Sequence, residues 1–139
     1  MPGQPPLGNG ILGLDCTTIE VRDPTDLPGV LGQPLIIKAG AVFNVSVRFK
    51  FDGALANWLM STVVPFRAVY YYESFGDQPE GTLGTRNGTT VAGQVEYGPP
   101  ETTANATLNV PGTYKLTCAV TFVGPPVSAF IEGPMILIA

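Results

Sequence analysis

Side chains able to do acid–base, nucleophilic or metal chemistry are few and widely spaced in this sequence. It contains no histidine. The commonest general base and neutral-pH metal ligand is therefore missing, and neither a Ser-His-Asp nor a Cys-His nucleophile can be built. Two distant cysteines, Cys16 and Cys118, do not supply a zinc site. Carboxylates remain. Glu73, Asp77 and Glu80 share one short stretch whose loop oxygens suit Ca²⁺, and Asp15, Glu20, Asp23 and Asp26 form a second acidic group. For both, a solvated acidic surface is the simpler reading. A carboxylate pair for glycoside cleavage needs a cleft between its two oxygens, and a small strand-rich chain does not promise one. No Gly-rich phosphate loop opens a helix. The expectation is a non-enzymatic protein with no cofactor and no bound metal.

Aromatic residues offer a different chemistry, stacking. In Tyr70-Tyr71-Tyr72 the side chains must point alternately if the segment is extended. Tyr71, with Trp58 and Tyr97, would then be a candidate sugar-binding platform. The favoured reading is simpler: Tyr70 and Tyr72 fill the core and Tyr71 covers the outer surface of a sheet.

The elements that must position these groups are strands. Val42 to Asp52 is the clearest, with Phe43, Val45, Val47, Phe49 and Phe51 alternating with Asn44, Ser46, Arg48 and Lys50. A period of two with one apolar parity marks a half-buried strand. Thr113 to Phe122 alternates in the same way, with Tyr114, Leu116, Cys118, Val120 and Phe122 on one face. Further strands are expected at Asp15–Arg22, Leu35–Lys38, Val63–Ser74, Thr102–Val110 and Ser128–Ile138, the last interrupted by Gly133-Pro134. Arg86-Asn87-Gly88 reads as a hairpin turn joining strands at Thr82–Thr85 and Thr89–Tyr97. Only Ala54–Met60 leans towards a helical turn.

Composition agrees. The 139 residues include 17 Gly and 14 Pro, spread as punctuation between short apolar runs. Long helices do not survive that spacing, whereas strands and tight turns do. The expected fold is all-β: a single sandwich of eight or nine antiparallel strands over residues 15–139, preceded by an extended Gly/Pro-rich arm at 1–14.

Parity bears on the two cysteines. Cys118 lies on the apolar face of its strand. Ile19 and Val21 have the opposite parity to Cys16, which would turn Cys16 away from the core unless a bulge reverses the strand. Two cysteines packed as small apolar residues are favoured over a disulfide.

The segment Val110-Pro-Gly-Thr-Tyr-Lys-Leu-Thr-Cys118 resembles the corner that enters the F strand of immunoglobulin-like domains, and is similar to bacterial modules of that type. The resemblance implies that Tyr114 turns its hydroxyl back onto the preceding corner. It implies the architecture alone, because fold does not give function. The pattern departs from antibody domains: Leu116 stands where their cysteine follows the tyrosine, and Val42–Asp52 carries no cysteine.

Charge excludes some partners. Lys and Arg number 7, net charge is −4, and no basic stripe exists, which argues against nucleic acid and against docking on anionic membranes. No apolar run has the length of a membrane helix. The N-terminal residues lack the basic and apolar regions of a signal peptide, so synthesis in the cytoplasm or a signal-free assembly is expected. Charged residues are only 13 % of the chain, about half the usual share. Leu35-Ile-Ile37 and Met135-Ile-Leu-Ile138 are apolar on both parities, so something is expected to cover their second face. The expectation is a structural or interaction subunit that self-associates or decorates a larger assembly through Ile11, Leu12, Tyr71, Met135, Ile136 and Ile138. The alternative is a carbohydrate- or surface-binding module, adhesin-like and calcium-dependent in one version.

Overall fold

Alternation of apolar and polar side chains organises the whole architecture. A computed structural model describes residues 13–22, 35–52, 63–76, 80–123 and 128–139. Nine strands lie among them: β1 (Gly13–Arg22), β2 (Leu35–Ile37), β3 (Val42–Asp52), β4 (Pro65–Ser74), β5 (Gly81–Thr89), β6 (Glu96–Tyr97), β7 (Ala104–Thr107), β8 (Gly112–Phe122) and β9 (Ser128–Ile138). No helix occurs among the described residues. Of the arm expected at 1–14, Gly13 and Leu14 belong to β1, and residues 1–12, with Ile11 and Leu12, lie outside the described residues, as does the helix-leaning stretch with Trp58.

The strands form two sheets. In the first, β3 has β1 on one side and the short β6 and β7 on the other. The second runs in the order β2-β9-β8-β4-β5. Every pair is antiparallel except β2–β9, which is parallel. The inner faces meet as an all-β sandwich, with Phe43, Val45, Val47 and Phe49 from β3 buried against residues of β4, β8 and β9. Phe49 packs edge-on against Phe66 and Phe122 of the opposite sheet, with ring centroids 5.4 and 6.0 Å apart. Such contacts add to the area-proportional stabilisation of burying the rings.

A polar device completes the first sheet. β7 pairs with residues 42–45 of β3 and β6 pairs with 49–50, so residues 46–48 lie between two strand partners. Side chains fill that interval. The Val47 amide donates to the Tyr70 hydroxyl at 2.9 Å, and the Thr102 hydroxyl donates to the Val47 carbonyl at 2.6 Å. The Tyr70 hydroxyl in turn donates to the Thr102 carbonyl at 2.5 Å. Buried backbone groups thus keep their partners where no strand supplies them.

Three departures from the sequence reading have clear causes. Asn87-Gly88 is not a turn; β5 runs straight through it, paired with β4 from Pro65↔Thr89 to Tyr72↔Gly81. Gly88 lies flat on the Phe66 ring, where an added Cβ would come within 2.4 Å of ring carbon Cζ, so close packing rather than a tight turn explains the glycine. Second, the register of β1 on β3 shifts between Cys16 and Thr18, leaving Thr17 as the extra residue of a bulge. This reverses parity, so Cys16 stands opposite Phe49 and packs against the core, while Ile19 also faces inward. No disulfide joins Cys16 to Cys118. Third, the interruption expected at Gly133-Pro134 is a bulge within a continuous β9, the two residues together opposing Leu116 of β8. Proline has no amide hydrogen for the ladder and is at home in such a bulge.

Candidate functional site

Among the described residues, exposed apolar side chains gather on the outer face of the second sheet. Parity sets what each strand shows there. β4 turns Phe66, Ala68 and Tyr70 inward and Arg67, Val69, Tyr71 and Glu73 outward. β8 buries Tyr114, Leu116, Cys118 and Val120, leaving Lys115, Thr117 and Ala119 outside. β9 exposes Phe130 and Glu132 before its bulge and Met135 and Leu137 after it.

Register assembles these into rows. Phe130, Ala119, Val69 and Thr85 lie side by side across β9, β8, β4 and β5. The next row holds Glu132, Thr117, Tyr71 and Thr82. Beyond it come Met135, Lys115 and Glu73, then Leu137 and Thr113 with Ile36 of β2 beside Leu137. Exposure reaches 63 % at Phe130, 60 % at Ile36 and 57 % at Met135. Phe75, 60 % exposed, extends the last row, its amide bonding to the Thr113 carbonyl at 3.1 Å. Lys115 pairs with Glu132 at 2.5 Å across β8 and β9. The face is thus an apolar surface crossed by matched charges.

Two shallow grooves border it. One, of about 530 Å³, is lined by Phe66, Arg67, Asn87, Thr89, Thr121 and Val123 among others, with Arg67 Nε donating to Asn87 Oδ1 at 3.2 Å. The other, of about 370 Å³, lies between β5 and β7 at Arg86, Thr103 and Asn105.

The residues singled out from sequence fall in different places. Tyr71 (36 % exposed) and Met135 lie on the outer face. Ile136 and Ile138 do not; each is 1 % exposed and belongs to the core, so neither is available to a partner. The β9 bulge explains the difference, since it puts Met135 and Leu137 on the face of Phe130 and turns their neighbours inward. Sequence reasoning missed Phe130, Leu137, Ile36 and Phe75. The Gly133-Pro134 pair was the available signal, because a bulge there shifts every later side chain by one position.

Tyr97 is also in the core. Its ring stacks on Phe49 at 5.2 Å, and its hydroxyl accepts from the Val91 amide at 2.8 Å and donates to the Gln94 carbonyl at 3.0 Å. Burial raises its pKa, and the Val91 hydrogen bond partly offsets that. A stacking platform of Trp58, Tyr71 and Tyr97 is therefore not assembled: Tyr97 is buried, and Trp58 lies outside the described residues. Of the acidic loop, Glu73 and Glu80 are described and Asp77 is not; no metal-binding group of three occurs among the described residues. The buried groups with large shifts lie inside the sandwich. Burial pushes the Cys118 thiol up to about 12, with Cys16 a smaller cause, and burial also raises Tyr70. Both stay protonated and serve packing and hydrogen bonding.

Tyr114 closes the corner before β8. Its hydroxyl donates to the Val110 carbonyl at 2.7 Å, fixing the chain where it enters the strand. No protein-family model matches this chain, and no curated protein sequence does.

Proposed function

We propose that this protein is a non-catalytic interaction subunit built on an immunoglobulin-like sandwich, and that the outer face of its second sheet packs against another protein surface. The single observation carrying this reading is the exposure of Phe130, Met135, Ile36 and Leu137 on one side of one sheet. Isolated exposed apolar residues are ordinary, but a grouped set marks an interaction surface. Removing such surface from water contributes roughly 25 cal/mol per Å².

Three features support the immunoglobulin-like part. The Tyr114 corner bond is of the type described for that architecture. The order β9-β8-β4-β5 matches a sheet of G, F, C and C′ strands, and β1-β3-β7 matches A, B and E. The start of the chain also divides between the layers, β1 pairing with β3 and β2 lying parallel to β9.

Sedimentation of the full chain up to about 1 mM, the weak end of specific association, tests the reading. Association of the wild type, lost in Phe130→Glu with the monomer's melting temperature unchanged, supports it. A monodisperse monomer across that range, identical in the variant, sinks it.

A further inference from the structure

We infer that the partner of this face is a second copy of the chain, docked about a two-fold axis lying across the strands so that Arg67 of each copy meets Glu73 of the other. The inference rests on the docking face proposed above and adds its occupant and orientation.

The register supplies the axis. Tyr70, Cys118 and Ile131 stand level with one another on β4, β8 and β9. Arg67 and Glu73 lie on the outward parity of β4, three residues to either side of that level, or about 10 Å each way at 3.3 Å per residue. A two-fold axis in the plane of the face, crossing the strands at this level, stacks β4 on β4 in opposite directions. Each Arg67 then faces a Glu73, and each Val69 faces a Tyr71. Symmetry makes every such contact twice.

Charge selects this orientation over its competitor. A two-fold axis running along β8 would instead set Lys115 on Lys115, and Glu73 over Met135 of the other copy. Like charges face to face, with no opposite-charge contact between the copies to offset them, oppose association. With the axis across the strands, Arg67 and Glu73 make two opposite-charge contacts, Lys115 faces Thr121, and Glu132, which then lies over Phe130 of the other copy, keeps its ion pair with Lys115. The size also suits. Four strands about 4.8 Å apart and about 30 Å long give roughly 570 Å² of flat area, before side-chain relief is added. Standard interfaces take roughly 600–1,000 Å² from each partner.

Charge reversal on the full-length chain, followed by sedimentation equilibrium, tests the inference. R67E and E73R, measured singly, each raise the dimer dissociation constant at least tenfold, because each creates two like-charge contacts. The double variant R67E/E73R returns to within about threefold of wild type, since the pair is restored in reverse. A wild-type dimer whose dissociation constant ignores the single reversals, or stays weakened in the double variant, overturns the orientation and leaves the docking face standing. A wild type that never dimerises overturns both. Circular dichroism of the diluted variants, unchanged from wild type, separates lost docking from lost folding.

Discussion

Strands β3, β4 and β8 keep one inward parity from end to end, whereas β1 and β9 each change parity part-way along. The two regions fill the same core by different means. The middle relies on unbroken alternation and spans the layers with a hydrogen-bonded tyrosine. The flank relies on two bulges and a close approach between Ile19 and Gly133, where an added Cβ would sit 2.7 Å from Ile19 Cδ1 and 2.9 Å from its Cβ. The contrast shows that a bulge does more than kink a strand. It decides which of two apolar parities becomes core and which is left on the surface. In β1 it brings Cys16 inside, and in β9 it sends Met135 and Leu137 outside.

The largest effect is expected in the middle. Tyr70→Phe removes the hydroxyl that serves both Val47 and Thr102, stranding a buried amide and a buried carbonyl. Chemical denaturation should show a loss of about 3 kcal/mol, from roughly 1–3 for each stranded group. A loss below about 1 kcal/mol would show that water replaces the hydroxyl and that the middle is not bridged by it.

At the flank, Gly133→Ala should cost about 2 kcal/mol through overpacking onto Ile19. A double-mutant cycle sharpens the comparison. Gly133→Ala and Ile19→Ala should couple by about 1 kcal/mol, while Gly133→Ala and Tyr70→Phe should add. Coupling between the two regions would erase the distinction between them.

Per unit of pH, the smallest effect is alkaline. Cys118 keeps its proton in the fold up to about 12, whereas in the unfolded chain it releases it above its ordinary value of 9.0. The folded state therefore binds more protons between those values. Stability is fully present below pH 9.0 and falls as pH rises towards about 12, by about 1 kcal/mol per pH unit. Tyr70, also raised by burial, acts in the same direction. Cys118→Val should flatten the first part of this decline, as measured by denaturation at several pH values. A variant as alkali-sensitive as wild type would remove Cys118 from the account.

Much of the fold was legible because β3 and β8 alternate so regularly that side chain and face are one statement. Their inward residues, from Phe43 to Phe51 and from Tyr114 to Phe122, were all named by parity. The Pro-Gly-Thr-Tyr segment likewise pointed to a corner that the Tyr114–Val110 bond closes. Asn87-Gly88 misled because a local turn preference was outweighed by continuous pairing of β5 with β4 and the ring beneath Gly88. Tyr70 was readable as core, but not its partners, since Thr102 is 32 residues away.

The candidate site was half legible. Doubly apolar β2 and β9 signalled apolar side chains on a second face, and Tyr71 and Met135 lie exposed there. Ile136 and Ile138 were assigned to that face because alternation carries no record of register. By itself the sequence determined an all-β chain, the inward parity of its regular strands, and a surplus of apolar residues over one core's needs. Tertiary structure alone decided which residues form that surplus. A strand's two faces are equivalent until a bulge, a neighbouring strand and an opposing sheet fix one of them inside. Those constraints join residues far apart in the chain, as Ile19 and Gly133 are joined here.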